Sequence, residues 1–325
     1  GGNDSLALLK YEELLLKEKD LKTQAHLLVD FMDIYNNYYY EDNEEMGFKY
    51  AQKVTMLDPA GLEEYVADAH TLMGHYLNSI EQSNDEALSH YQIALKLARI
   101  CKDNFIIMQS LSALGIHTAN LREYSKSIDY FKKSIEAFES NQDSSLLITN
   151  LMNIGTAYGQ LRDFAKSIEY NQKALNIARK VKKDLHASVI HVNLASIEEV
   201  LGHHDKAIHT YKKSLDSYIY ENHRRDIKFG TLLKIGNIYL KKQNEDSAKY
   251  YIDKGIKGLR DLDLPLSLRN SYLTVAGTYK DLGRYAAALE YYYDAREIAE
   301  NQKDTFDIAY TYNEIAKFYR VQELH

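Results

Sequence analysis

A pattern of small, apolar and aromatic residues returns about every 40 residues along this chain. The small residue that marks each copy lies at Gly74, Gly115, Gly155, Ala195, Gly236, Ala276 and Ala316, so successive copies are 40 or 41 residues apart. An apolar residue precedes each small one, and in four of the seven copies a tyrosine follows three residues later. Residues at these offsets share one face of a helix. Repetition at this period predicts a stacked array of helical hairpins rather than a single core.

The second helix of each copy carries small residues at a seven-residue step. These are Ser127, Ser167, Ala207, Ala248 and Ala288, followed by Ser134, Ala174, Ser214, Gly255 and Ala295. They predict the seam, the line of closest contact between the second helix and the first. Between the two helices, Gly202 and Gly283 stand where a chain reversal favours positive φ. Arg122 and Arg162 occupy the same place, so we expect that this turn is not always left-handed.

This pattern resembles the tetratricopeptide repeat, whose usual unit is 34 residues. The 40-residue spacing resembles the longer-helix variety found in peptide-sensing bacterial regulators and in animal scaffold proteins. The resemblance implies an all-α fold, a right-handed α-solenoid of about seven and a half helix-turn-helix repeats. We expect one superhelix over 1–325. Residues 1–60 form a leading helix and a degenerate first repeat, 61–303 six well-formed repeats, and 304–325 an unpaired final helix where the chain is truncated.

Composition and motifs exclude several classes of function. The net charge is −7, which argues against a nucleic-acid partner because no basic surplus exists to release counterions. The sequence contains no run of eighteen apolar residues, the feature that would predict a membrane span. A phosphate-binding glycine loop, a nucleophile elbow and a metalloprotease motif are all missing from the sequence. We therefore expect a protein that is not an enzyme and that uses no cofactor.

The resemblance also predicts where a ligand binds, because the first helices of such arrays line the concave surface. A stripe of small or polar residues runs along these helices beside the packing stripe. From this stripe and its neighbours we select twelve candidate peptide-binding residues: Asn120, Asn153, Thr156, Gln160, Asn193, Ser196, Lys234, Asn237, Lys241, Lys280, Lys317 and Arg320. A carboxamide offers a donor and an acceptor together, which matches a peptide backbone. The alternative is that the asparagines bond to a neighbouring helix or to water.

Three further features carry expectations. The cations of the last third of the stripe favour an acidic or C-terminal carboxylate group on the ligand. The histidines near 191–209 lack metal-ligand spacing, so we expect them to be structural and expect no metal site. The tyrosine runs Tyr38–Tyr40 and Tyr291–Tyr293 predict packing, with one ring of each run exposed.

We therefore expect a non-catalytic scaffold that binds a peptide or protein segment. The layout resembles the ligand-sensing regions of bacterial signalling regulators, which implies a sensor region of a larger protein. That class favours an extracytoplasmic (periplasmic) location over a cytoplasmic one, without direct insertion into the membrane. Two alternatives remain open, a free-standing adaptor that assembles protein partners and a cytoplasmic peptide-pheromone receptor.

Overall fold

The computed structural model describes residues 15, 17–37, 44–79, 84–138, 144–216 and 225–323. Over these ranges all the regular secondary structure is helical. The helices are α1 (Leu21–Asn37), α2 (Glu44–Thr55), α3 (Glu63–Ser79), α4 (Asn84–Cys101), α5 (Asn104–Asn120), α6 (Tyr124–Glu136), α7 (Ser144–Gln160), α8 (Phe164–Lys180), α9 (Asp184–Val200), α10 (His204–Leu215), α11 (Arg225–Lys241), α12 (Glu245–Asp261), α13 (Pro265–Asp281), α14 (Tyr285–Gln302) and α15 (Thr305–Glu323). The expected all-α class is confirmed.

The helices pack in order as hairpins within two compact units, Gly1–Ile177 and Ala178–His325. We call α3, α5, α7, α9, α11, α13 and α15 the A helices, and the helix that follows each of the first six its B helix. In the N-terminal unit α3 packs on α4 and α5 on α6, and α5 lies beside both α3 and α7. In the C-terminal unit α9 packs on α10, α11 on α12 and α13 on α14, with α11 beside α9 and α13.

The small residues lie where the sequence pattern predicts close contact between the helices of a hairpin. A Cβ placed on Gly115 would lie 2.6 Å from the Phe131 ring, and one on Gly236 would lie 2.7 Å from Cγ1 of Ile252. Ser127 Oγ donates a hydrogen bond to the Gly115 carbonyl (2.8 Å). The glycines therefore allow the A and B helices to approach until a seam side chain reaches the backbone opposite. Ala316, at the same position in α15, is exposed.

The five described turns between A and B helices, those that follow α5, α7, α9, α11 and α13, each contain a residue in the left-handed conformation, whether or not it is glycine. Arg122 and Arg162 have φ of 61° and 59°, close to the values of 77° and 72° at Gly202 and Gly283. The expectation that arginine marks a different turn is wrong. The physical reason is the cap, because the following amide reaches back to a carbonyl in the last turn of the A helix, as from Glu123 N to Thr118 O (2.9 Å). This closure satisfies otherwise unpaired carbonyls and requires the left-handed conformation.

Two imidazoles in the first well-formed hairpin face each other. Nδ1 of His70 in α3 lies 2.7 Å from Nδ1 of His90 in α4, a contact in which one ring donates and the other accepts. Burial lowers the pKa of His70 to about 4, with a further contribution from His90. The pKa of His90 is also lowered by burial, against an opposing effect of Glu86. Both rings are therefore neutral in the folded protein near pH 7.

We expect the N-terminal unit to lose stability as the pH falls from about 6.5 towards 4. In that window the unfolded chain protonates its histidines while folded His70 stays neutral, so acid favours the unfolded state. After allowance for solvent screening, the loss attributable to His70 is about 1–2 kcal/mol. Urea titrations at pH 7 and pH 5 measure it. In His70→Phe, which has no proton to gain, the difference between the two pH values should shrink, and an unchanged difference would assign the effect to other groups.

Candidate functional site

A cleft of about 150 Å³ opens between α5, α6 and α7 in the N-terminal unit. Four of the predicted binding residues line it together, namely Asn120, Asn153, Thr156 and Gln160. The rest of the lining is Ile116, Ala119, Tyr124, Phe131 and Ala157. We call this feature the A-face cleft. Its polar members come from two successive A helices, so the stripe pattern of the sequence is what brings them to one place.

The rim of the A-face cleft presents carboxamides that are open to a ligand. Asn120 and Gln160 are exposed, and Asn153 is half-buried. No hydrogen bond joins these three amides to any other residue in the described ranges. Thr156 is also exposed, but its Oγ1 donates to the Met152 carbonyl one turn earlier (3.1 Å). The three amides therefore keep donors and acceptors available for a bound backbone.

The floor of the A-face cleft is apolar. Phe131 is 1% exposed and Ala157 is 3% exposed, and both belong to one cluster of buried residues that Ile116 and Tyr124 also contact. None of the nine lining residues carries a charge. A ligand that enters this cleft therefore meets a neutral surface with amides at its edge and aromatic and aliphatic carbon beneath.

The predicted residues of α9 and α11 are placed differently, because two of them belong to an internal network. Ser196 Oγ lies 2.8 Å from the hydroxyl of Tyr211, and that hydroxyl donates to Glu199 Oε2 (3.2 Å). Lys241 Nζ donates to Glu199 Oε1 (2.8 Å). Glu199 is the centre of this network, and it is not among the residues predicted from the sequence. Its position three residues after Ser196 on the same helix face was the available signal.

The two remaining asparagines are also held inside the structure to different degrees. Asn237 is 5% exposed, and its Oδ1 has no hydrogen-bond partner among the described residues. Asn237 is therefore less accessible to a ligand than the exposed asparagine Asn120, and its role in binding stays a prediction. Asn193 is half-buried and already interacts within the chain.

The cations of the last repeats are less available than the sequence suggests. Lys280 lies 3.6 Å from an Asp281 carboxylate oxygen, and Lys317 lies 2.6 Å from Glu314. Lys241 is paired with Glu199, whereas Lys234 and Arg320 are exposed. Three of the five cations therefore have a carboxylate neighbour, and the expected preference for an acidic ligand stays a prediction.

The other features singled out in the sequence have local roles. Glu198 occupies a slot that other repeats fill with tyrosine, and it accepts from His203 Nδ1 (2.7 Å). Burial raises the pKa of Glu198, but hydrogen bonds from Lys206 and His203 outweigh it and hold that pKa below its usual range. Across the described ranges, no three metal-type side chains converge. Tyr292 is 2% exposed and Tyr293 is 41% exposed, as packing predicts, while Tyr38–Tyr40 lie outside the described residues.

A second cavity, of about 370 Å³, lies in the C-terminal unit. Its walls come mainly from the B helices α12 and α14, with Tyr272 of α13 between them. Arg260 in this cavity donates to the Tyr272 hydroxyl (2.9 Å). The charged side chains that line it, including Asp253, Glu290 and Asp294, are exposed. Nothing in the A-helix stripe contributes to this cavity, so it is separate from the predicted binding face.

Comparison with known families supports the repeat pattern. Tetratricopeptide-repeat models match residues 146–219 and 268–301. The chain contains tetratricopeptide repeats. Both matched segments fall on the hairpins described above, α7 to α10 and α13 to α14. No curated protein matches the sequence. None of the described helices of these repeats is long and apolar enough to cross a membrane.

Solved structures share the fold at low sequence identity. One is a signal-transduction ATPase with numerous domains and a tetratricopeptide-repeat sensor, from Pyrococcus horikoshii. It has a TM-score of 0.68 and 16% identity, over 91% of this chain and 46% of that protein, so this chain spans about half its length. Apo RapI has a TM-score of 0.66 and 15% identity, over 94% and 82% of the two chains. NprR in complex with its cognate peptide NprX has a TM-score of 0.58 and 16% identity, over 93% and 84%; apo NprR is from B. thuringiensis.

Proposed function

We propose that this chain is a non-catalytic scaffold that binds a peptide or protein segment along its A helices. The observation that carries the proposal is the A-face cleft, where four predicted residues from two A helices surround one opening. Carboxamides without partners in the described structure suit an extended backbone, because each amide supplies a donor and an acceptor. The likeness in fold to NprR, which binds its cognate peptide NprX, supports a peptide as the class of ligand.

Replacing both Asn120 and Asn153 by alanine is expected to weaken binding of peptides selected from a random library on the unaltered protein. Two lost hydrogen bonds correspond to about 1–3 kcal/mol, or roughly 5- to 150-fold in Kd. The melting temperature should change little, because neither amide has a partner among the described residues. Calorimetric titration of the selected peptides measures the change in Kd.

Asn176→Ala is the matched control for this pair. Asn176 is an exposed asparagine on the B helix α8, outside the A-face cleft. The Asn176→Ala variant should bind the selected peptides with an unchanged Kd. Equal affinity in the double variant would remove the A-face cleft from the binding surface, whereas a large fall in melting temperature with intact affinity would assign the two asparagines to packing.

Within this proposal, the chain is the ligand-sensing region of a larger bacterial signalling protein. The gene sequence on both sides of Gly1 and His325 tests that role. An adjoining kinase, cyclase or DNA-binding domain would support it, and an upstream signal peptide would place the sensor outside the cytoplasm. A short open reading frame that contains only the repeats would favour the adaptor instead.

A further inference from the structure

The A-face cleft has the size and lining of a pocket for one side chain. Its volume is about 150 Å³, and apolar protein cavities of about this size accept a guest as large as benzene. Phe131 and Ala157 form the buried floor, and Ile116 and Tyr124 form the walls. A glycine or alanine of a bound peptide would leave most of this space empty, whereas a leucine, isoleucine or phenylalanine side chain fits it.

The preceding pair of hairpins explains why the space exists here. One repeat earlier, His117 stands at the position of Ala157, Asn78 at that of Ala119 and Tyr91 at that of Phe131. There, His117 Nδ1 bonds to Asn78 Oδ1 (3.0 Å), and the Tyr91 and His117 rings lie 5.7 Å apart. These large side chains occupy the place that the two alanines leave empty in the next repeat. The cleft is therefore a local product of small residues, not of the repeat itself.

The charge of the lining restricts the ligand further. None of the nine lining residues is charged, so an ionised side chain of a peptide would lose hydration without gaining a partner. Asn120, Asn153 and Gln160 line the same cleft as Phe131 and Ala157 but are more exposed than these two buried residues. Such an arrangement provides hydrogen bonds to the main chain and an apolar contact for a single side chain.

We infer that the A-face cleft is an anchor pocket for one leucine-, isoleucine- or phenylalanine-sized side chain of an uncharged peptide segment, whose backbone the rim amides hold. This inference rests on the proposed peptide-binding function and names the ligand class at its site. The pocket selects by size and absence of charge, and the amides add no preference of their own for one side chain over another.

A set of short peptides tests the anchor directly. The probes are N-acetylated, C-amidated pentapeptides Gly-Gly-X-Gly-Gly, with X as leucine, phenylalanine, glycine, aspartate or lysine. Titration into the isotope-labelled full chain, followed by nuclear magnetic resonance of side-chain amides, reports binding at Asn120, Asn153 and Gln160. We expect the leucine and phenylalanine peptides to bind at least 10-fold more tightly than the glycine peptide, and the aspartate and lysine peptides no more tightly than glycine.

Variants with a larger side chain in the A-face cleft provide a second test of the anchor pocket. Ala119→Leu should remove the preference for leucine and phenylalanine, and Ala165→Leu, an exposed alanine on α8, should keep it. If Ala119→Leu fails to fold, Thr156→Leu fills the same opening from an exposed position. A preference for the aspartate or lysine peptide would overturn the proposed anchor pocket. A preference for leucine and phenylalanine that persists in the variant with the filled cleft would overturn it too.

The outcomes separate this inference from the function on which it rests. Equal binding of all five peptides, with shifts at the rim amides, overturns the anchor and leaves peptide binding in place. Absence of any shift with all five pentapeptides overturns the anchor. If library selection also yields no peptide, the proposed function fails with it.

Discussion

Replacing Asp307 by alanine is expected to destabilise the C-terminal unit by about 3–5 kcal/mol. Arg269 in α13 is 4% exposed and forms an ion pair with Asp307 in α15. Its other contacts carry no negative charge. Nη2 donates a hydrogen bond to Asn270 Oδ1 (3.1 Å), and Cζ lies 5.9 Å from the centre of the Tyr310 ring. Without Asp307, the guanidinium stays buried with no opposing charge in the described structure, and this is the costly case for an internal ion pair.

Urea unfolding of the full chain, followed by circular dichroism, measures this loss. The control is Lys317→Ala on the same helix, which removes an exposed ion pair with Glu314 and should cost less than 1 kcal/mol. The double variant Arg269→Met with Asp307→Leu removes both charges and should recover most of the loss. If Asp307→Ala costs no more than the control, Arg269 is solvated in solution and this ion pair does not stabilise the C-terminal unit.

The repeat register could be predicted from the sequence because it depends on residue size at fixed spacing. Gly115 and Gly236 each lie against a single large B-helix residue, Phe131 and Ile252. The size of a side chain follows directly from the residue type, without any knowledge of its neighbours. The same holds for the all-α class, because hairpins that repeat every 40 residues leave few other ways to bury their apolar faces.

The turns could not be predicted in full because side-chain identity is a weak guide to backbone conformation. Arg122 and Arg162 adopt positive φ at a cost of about 1–2 kcal/mol relative to glycine. The hydrogen bonds of the helix cap and the packing of both helices offset that cost. Such a balance depends on the whole hairpin, so a rule based on glycine alone fails at these positions.

The candidate site was predicted in part, for a reason of geometry. The stripe correctly grouped Asn120, Asn153, Thr156 and Gln160, since residues spaced by three or four share a helix face. It could not tell that Lys241 is paired with Glu199, or that Asn237 is enclosed. Pairing and burial depend on which side chains stand opposite, on another helix, and the spacing along one helix does not contain that information.

Substitution of a glycine in α11 reports the register of the A helices in the C-terminal unit. Replacing Gly236 by leucine is expected to destabilise the C-terminal unit by about 1–3 kcal/mol through overpacking. A Cβ there would lie 2.7 Å from Ile252 Cγ1 and 3.1 Å from the Ile252 backbone nitrogen. The side chain can move only a little and the backbone of α12 hardly at all, so the two helices must separate. Thermal and urea unfolding measure the loss.

Gly277, in the next A helix of the same unit, is the matched control. A Cβ at Gly277 would meet no atom within 4 Å, so Gly277→Leu should be neutral or stabilise by up to about 1 kcal/mol through helix propensity. Gly236 occupies the small position of its repeat, which Ala276 occupies in the next one. Gly277 directly follows Ala276, so the two glycines differ by one position in the repeat. A one-residue error in register would exchange their outcomes, and it would also turn the proposed binding stripe, including Asn153 and its neighbours, away from the face where a peptide could lie. Opposite responses at Gly236 and Gly277 therefore test the orientation of the A helices independently of any ligand.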